Sequence, residues 1–465
     1  MWGHPRGLST LFFTEMWERL SYYGMRGLLI LFMTAPVAVG GLGFATEKAA
    51  MIYGLYTAAV YFSAIPGGFV ADRLLGQRKS VLVGGILIAC GHYSMFFNRL
   101  PLFYAGLVLI VMGTGLLKPN VSAIVGQLYA PEDARRDAGF SIFYMGINLG
   151  AFLAPFICGS LGEKVGWHWG FGAAGVGMTI GLIQYVLGSQ RLGDAGQMKH
   201  KPEAPGRLWL TLALAVAGFA GAFYLLWDYQ DWLLLTGILL LFVWFLKQSA
   251  PGQERRRVAA IVVLFVFSTL FWGGFEQAGS SLNLFARDVT DRVVGGWQLP
   301  TSWFQSVNSM FLVLLAPVLT LIWARLGKRE PSSPAKFAYG LFFLGLGFLL
   351  IAGAALVSAR AGNARVSPLW LIGLYLCHTI GELCLSPVGL STVTKLAPER
   401  LVGSMMGVWF LSISLGNFIG GRVAGLFEAF PLPQLFGAVF LTSIAAALVL
   451  ALLTKPIRNL MSGVH

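Results

Sequence analysis

The sequence predicts an all-α protein that crosses a membrane about fourteen times, and three observations carry that prediction. The 465 residues are 56% hydrophobic and only 11% charged, with mean hydropathy +0.71, whereas a soluble chain carries about a quarter charged residues. Several stretches of about 20 residues hold almost no charge, enough to span ~30 Å of hydrocarbon as helix; Leu208 to Leu226 and Leu341 to Val357 are examples. Whole spans are apolar, where a transmembrane barrel would show short segments of alternating apolar and polar residues.

Taken in order, the first span runs from Leu8 to Pro36, the second from Ala49 to Val70, the third from Val81 to Phe97 and the fourth from Leu102 to Leu128. The fifth runs from Gly139 to Gly162 and the sixth from Phe171 to Leu187. Gln190 to Gly206 has Pro202, Pro205 and no apolar period, and reads as a linker. Two spans follow, Leu208 to Leu226 and Trp232 to Leu246, joined by a turn around Asp228 to Asp231. A basic hinge, Gln253 to Arg257, then precedes six more spans: Val258 to Ala286, Ser302 to Trp323, Phe337 to Val357, Leu369 to Thr394, Val402 to Phe427 and Leu435 to Leu453. The organisation is therefore an N-terminal six-helix half (1–189), a linker with an inserted pair (190–253) and a C-terminal six-helix half (254–465). Six plus six suggests two pseudo-symmetric halves with a site where they meet, although no convincing sequence repeat relates them. The inserted pair is nearly charge-free and is expected at the lipid-facing periphery, carrying no chemistry.

The formal net charge of +13 does not point to nucleic acid, for which Lys and Arg would cluster on one domain. With both termini cytoplasmic, turns on the inner side hold roughly 22 Lys and Arg against about 7 outside, the positive-inside pattern of a multi-pass plasma-membrane protein. Arg73/Arg78/Lys79, Arg135/Arg136, Arg255/Arg256/Arg257 and Lys328/Arg329 belong to the inner set. Cys90, Cys158, Cys377 and Cys384 lie within apolar spans without metal-type or disulfide spacing. The first apolar segment carries two Glu and two Arg, which excludes reading it as a cleavable leader. No phosphate-binding Gly-rich loop, metal constellation or nucleophile–base arrangement is evident, so no enzyme activity and no cofactor are expected.

The chemistry concentrates in the first span. On a helix, Glu15, Glu18, Arg19, Tyr22 and Arg26 share one stripe. A charge at the bilayer centre costs roughly 2.5–3.5 kcal/mol, so the four charges must face one another, another helix or a water-filled cavity. A structural ion-pair cluster or a proton and substrate relay both satisfy that requirement, and intramembrane charge favours the second. Lys118, Glu276 and Glu382 are charged residues in the fourth, seventh and tenth spans. A buried Lys118 needs an anionic partner; Glu276 of the opposite half is expected to supply it, as a pair that makes and breaks when the site alternates. Arg26 and Lys118 can hold a carboxylate, Glu382 an ammonium, and Asn148 and Asn308 can bond peptide amides. Tyr22, Tyr23, Tyr61, Trp272 and Trp409 can wall side-chain pockets. Such a set suits a zwitterion with an amide between its charged ends. His378, four residues before Glu382, can share its face, but is read first as a packed polar residue.

The turn Gly68-Phe69-Val70-Ala71-Asp72-Arg73-Leu74-Leu75-Gly76-Gln77-Arg78-Lys79 resembles the loop signature of the major facilitator superfamily. Asp72 can accept bonds from a neighbouring helix terminus or Arg and so, with Arg73, close the inner side. Three longer motifs resemble the proton-coupled oligopeptide transporters: Glu15 to Gly24 (the first-helix ExxER motif), Phe143 to Gly150 in the fifth span, and Gly381 to Gly389 in the tenth. The resemblance covers essentially the whole chain, and the inserted pair also matches bacterial members. It implies a major facilitator fold with two six-helix halves plus two inserted helices, in the inner (plasma) membrane of a bacterium, and import of di- and tripeptides with protons.

By the same resemblance, Glu15, Glu18 and Arg19 are the proton-coupling triad. Arg26 and Lys118 hold the peptide carboxylate, Glu382 with Asn308 its amino terminus, and Asn148 its backbone. Tyr22, Tyr23, Tyr61, Trp272 and Trp409 wall the pocket, and Glu276 gates with Lys118 and is a further proton site. Leu20 stands where the family usually has Phe, and Ile413 interrupts the small polar pair that would make Ser412 a pocket residue. The readings left open are a major facilitator transporter of another solute, such as nitrate or a metabolite, and a non-transporting sensor or scaffold. The second needs a larger polar output segment than Gln190 to Gly206. A channel is disfavoured because no filter-like re-entrant segment is visible.

Overall fold

Long apolar runs become long helices because a backbone in hydrocarbon must satisfy its own hydrogen bonds. The structure, a computed structural model, describes residues 3–130, 133, 135–198, 206, 210, 230–398 and 401–461. Helix α1 is Gly7–Thr34, and α2 (Thr46–Phe62) continues through α3 (Ala64–Val70) and a π turn (Ala71–Leu75). Then come α4 (Gln77–Phe96), α5 (Leu100–Gln127), α6 (Arg136–Ala154), a π turn (Pro155–Gly159), α7 (Ser160–Lys164) and α8 (Trp167–Gly188). The second part holds α9 (Gln230–Gln248), α10 (Gln253–Phe275), α11 (Ser281–Asp288), a hairpin of β1 (Val293–Val294) and β2 (Trp297–Gln298), and α12 (Phe304–Leu326). It ends with α13 (Ser333–Arg360), α14 (Leu369–Leu396), α15 (Val402–Gly425) and α16 (Leu432–Met461). Among the described residues, ten helical runs are long and apolar enough to cross a membrane. Exposed Val108, Leu187, Leu314 and Leu452 form the apolar exterior such a protein presents to lipid.

Three sequence expectations change. Val258 to Ala286 is not one helix: the chain breaks into a 3-10 turn at Glu276–Gly279 before α11. The basic hinge is helical, forming the first turn of α10 after Gly252. The linker begins as ordered structure: Arg78 donates from Nε to the Ala195 carbonyl at 2.6 Å, and Gly196 donates its backbone N–H to Gln127 Oε1 at 2.8 Å. Apart from Leu210, Leu208 to Leu226 lies outside the described residues. The second inserted helix, α9, packs on α10 through Phe242 and Phe265, whose rings meet edge to face at 4.8 Å.

Two groups of helices pack internally: α1 against α6 and α8 and α4 against α5 and α8, then α13 against α14 and α16 and α10 against α15 and α16. The groups meet where α2 lies along α15 and α6 along α12. The α2–α15 approach needs glycine, since a Cβ on Gly54 would stand 2.8 Å from Gly421 Cα and 3.1 Å from the Asn417 carbonyl oxygen. Cross-group polar contacts gather at one side. Glu163 accepts the Thr301 and Ser302 backbone N–H groups at 2.7 and 2.9 Å. Trp303 Nε1 donates to Ser160, Lys164 to the Gln298 carbonyl, Arg287 to Thr34 Oγ1 and Asn283 to the Gly27 carbonyl.

The Gly68–Lys79 turn behaves differently from its expected role. Asp72 and Arg73 are exposed, and Arg73 lies over the Phe69 ring at 5.5 Å rather than closing on a neighbour. Gly76, at φ +77°, turns the chain into α4, and Arg78 does the fastening by holding the segment after α8.

Candidate functional site

The site lies where the two groups of helices face each other. A cavity of about 230 Å³ is lined by α1, α2, α5, α6, α10, α12, α14 and α15. Helical spacing brings Glu15, Arg19, Tyr23 and Arg26 of α1 to one wall. Tyr61, Lys118 and Asn148 join them from α2, α5 and α6, and Trp272, Glu276, Asn308, Glu382 and Trp409 face them from the other group.

The first-span charges form two separate clusters. Arg19 Nε sits 3.1 Å from Glu15 and 2.5 Å from Glu18, and all three side chains are buried. Each keeps one polar atom without a partner: Glu15 Oε2, Glu18 Oε1 and Arg19 Nη2. The triad therefore has open acceptor positions beside a fixed cation. About two helical turns on, Arg26 is paired with the Glu276 carboxylate, donates to the Glu276 carbonyl at 3.3 Å, and donates from Nε to Tyr53 OH at 2.6 Å. This pair spans the two groups of helices.

It also corrects the expected Lys118–Glu276 pair. In this conformation Glu276 is bound to Arg26, because the 3-10 break after α10 points its carboxylate at α1. Lys118 instead places Nζ 4.1 Å from the centre of the Tyr61 ring, an electrostatically favourable position for a cation. Tyr22 does not line the cavity: it is 2% exposed, stacked edge-on against Tyr23 and 5.3 Å from the Arg19 guanidinium carbon. Tyr23 takes the cavity position. Glu18 also stays behind the wall, reached through Arg19.

At the opposite end, Asn308 donates to Thr379 Oγ1 at 3.0 Å and to Glu382 Oε2 at 3.2 Å. The Glu382 carboxylate is thus aimed into the cavity as an acceptor. Asn148 bonds back to the Tyr144 carbonyl on its own helix at 2.9 Å, leaving its amide oxygen to the cavity. Trp272 lies edge-on to Phe275, with its Nε1 unpartnered. Ser412 does not reach the space, being bonded to Ser268 Oγ at 2.8 Å. His378 does both things expected of it: it packs between Phe275 and Phe348 and also borders the cavity.

Sequence reasoning missed Tyr53, Tyr144, Phe275, Gln305 and Ser309. Most carried a usable signal. Tyr144 is one turn before Asn148, Gln305 and Ser309 flank Asn308 on one helical face, and Phe275 adjoins Glu276. Tyr53 had none, since its tie to Arg26 depends on how α2 crosses α1.

The arrangement sets Arg19, Arg26 and Lys118 of one group of helices, with Glu15 and Glu276 beside them, across from Glu382 of the other, with amides and aromatic walls around the space. It offers complementary sites for a small zwitterion but no nucleophile–base pair. The POT family's sequence model (PTR2) matches residues 78–439. The chain is 43% identical over 492 residues to the peptide transporter YePEPT of Yersinia enterocolitica subsp. palearctica, covering 99% of this chain and 96% of that one. It is 37% identical over 488 residues to a di-/tripeptide transporter of Lactococcus lactis subsp. cremoris, covering 100% and 98%. A solved structure of a peptide transporter POT variant in complex with alafosfalin superposes with TM-score 0.91 at 42% identity, covering 100% of this chain and 97% of that one. The long apolar helices, the two-signed cavity between them and these likenesses over the whole length agree: this chain belongs to the POT family, a family of multi-pass membrane transporters and not of enzymes.

Proposed function

We propose that this protein carries di- and tripeptides together with protons across the plasma membrane of a bacterial cell. It has fourteen spans in two six-helix halves plus an inserted pair, and both termini are cytoplasmic. The observation that carries the reading is the two-signed lining of the cavity, with Arg26 and Lys118 on helices of one half and Glu382, held by Asn308, on those of the other. A peptide's carboxylate and ammonium match those charges, and its amide matches Asn148. Relatives named as peptide transporters support the substrate class.

The hydrogen bonds of Glu163, Trp303 and Arg287 across the halves lie on the side of the sparsely charged turns, which supports a state closed on the outside. In this state Arg26 is occupied by Glu276. We infer that the Glu276 carboxylate competes with the peptide carboxylate for Arg26. A proton taken on Glu276 from outside neutralises it, leaving Arg26 and Lys118 to the peptide. Closure then draws the halves together around the bound zwitterion. Loss of that proton to the cytoplasm lets Glu276 reclaim Arg26 and displace the peptide. The Glu15–Glu18–Arg19 cluster, with unfilled acceptor positions beside Lys118's wall, is a second proton site coupled to the same cavity.

Labelled dialanine in proteoliposomes tests the reading. An inward proton gradient should accumulate it above the external concentration, and Glu18→Gln should lose that accumulation while retaining peptide exchange. No accumulation by the unaltered protein would refute symport. Unimpaired gradient-driven uptake by Glu18→Gln would remove that residue from coupling.

A further inference from the structure

The two halves meet at a helix start that does not cap itself. The chain enters α12 through Pro300 and a 3-10 turn, Thr301–Trp303, and neither Pro300 nor Trp303 makes a side-chain cap bond. A helix start leaves backbone N–H groups without intrahelical partners. Here they include those of Thr301 and Ser302, residues only 1% and 0% exposed, so bulk water does not serve them. Glu163 of α7, on the other half, does. Its Oε2 accepts from the Thr301 N–H at 2.7 Å, and its Oε1 accepts from the Ser302 N–H at 2.9 Å and the Ser302 hydroxyl at 2.7 Å. The π turn before α7 makes the approach possible. Its last residue is Gly159, where a Cβ would run into Ser302 Oγ.

The match requires a carboxylate. Three donors converge on two oxygens, both of which must accept, and a negative charge suits the positive end of a helix dipole. A glutamine keeps one acceptor and turns an amide donor toward a backbone N–H. The neighbouring bond across the halves, Trp303 Nε1 to Ser160 at 2.9 Å, is neutral, and Lys164, which bonds the Gln298 carbonyl, is exposed. Each contributes less than a charge-assisted set on buried donors. Glu163 can hold this set only while the halves touch on the outer side. We propose that Glu163 is the latch of the outer gate: it caps α12 from the opposite half, and the strength of that cap sets the balance of outside-closed and outside-open states, and with it the affinity for external peptide. The proposal rests on the transport reading above but uses no residue of the central cavity.

Spin labels at the exposed positions Val39→Cys and Val294→Cys, in a Cys90→Ser background, read the outer separation. Glu163→Gln should lower the ratio of short- to long-distance populations roughly tenfold, the effect of losing a helix cap. External dialanine should then half-saturate exchange in right-side-out proteoliposomes at a concentration up to about tenfold lower, because more of the protein is outside-open before peptide arrives. Damage to the fold would instead raise that concentration or abolish exchange. Ser302→Ala should move both readouts the same way by a smaller factor, and Glu163→Gln/Ser302→Ala should move them by less than the two single changes combined, since each removes the same bond. Unchanged distances in Glu163→Gln, or full additivity in the double variant, overturn the latch. Wider distances without tighter exchange overturn its control of affinity. Absence of dialanine exchange by the unaltered protein overturns the transport reading and leaves the distances to decide the latch.

Discussion

Glu276→Gln should swing the protein from outside-closed toward outside-open. Arg26 and Glu276 are both buried, at 6% and 5% side-chain exposure, and they lie on opposite sides of the cavity. Removing one partner of a buried ion pair costs about 3–5 kcal/mol because the other charge is left uncompensated. Here the lower end applies: Tyr53 OH and the Glu276 carbonyl still accept from Arg26, and the glutamine oxygen can accept as well. The cost falls only on the state in which the halves touch, since Arg26 is hydrated when they part. About 3 kcal/mol corresponds to a roughly 100-fold change in the equilibrium between the two states. Spin labels at Val39→Cys and Val294→Cys, both exposed and on opposite halves, read the outer separation in a Cys90→Ser background that removes the exposed native thiol. The short-distance population should fall and a longer one appear. Arg26→Gln/Glu276→Gln should recover part of the closed population, because no charge is then stranded. An unchanged distance distribution in Glu276→Gln would refute the gating role of the pair.

Other outcomes follow from the same geometry. Glu382→Gln should weaken competition by dialanine roughly 10- to 100-fold, the range of a charge-assisted hydrogen bond of about 1.5–3 kcal/mol, while N-acetylated dialanine, already a poor competitor, changes little; equal losses for both would remove Glu382 from ammonium binding. Gly54→Ala should hinder outer closure by about 1–3 kcal/mol of overpacking at α15, seen as increased outer spin-label distance, whereas unchanged distances would show that the helices need not approach so closely. In the turn before α6, the bidentate Arg135 hydrogen bonds, chiefly its side chain, hold the exposed Asp133 carboxyl down to about 2. A carboxylate depressed in this way keeps its tie to Arg135 above the ordinary carboxylate range and loses it only as pH falls through about 2. Its carboxyl carbon NMR shift should titrate there, and a midpoint near 4 would mean the tie is absent in solution.

Much of the architecture was legible because a bilayer imposes it. The first span, read as Leu8 to Pro36, is the helix Gly7–Thr34, and Leu369 to Thr394 is Leu369–Leu396. The helical period also separated the charged face of α1 from its apolar face. It could not separate neighbours on that face: Tyr22 and Tyr23 differ by 100° of rotation, and only packing against α2 decides which enters the cavity. Pairing across the halves was less legible still. Charge balance demanded a partner for a buried Lys118 and assigned it Glu276, but the break at Glu276–Gly279 turns that carboxylate to Arg26 instead.

The central claim is that peptide and proton move together, and the most direct measurement is peptide-driven proton flux. Proteoliposomes containing a trapped pH dye, with no initial pH difference and with potassium and valinomycin clamping the potential, receive external dialanine. The account predicts acidification of the lumen that scales with dialanine and disappears with a protonophore. Dialanine uptake without any acidification would contradict it.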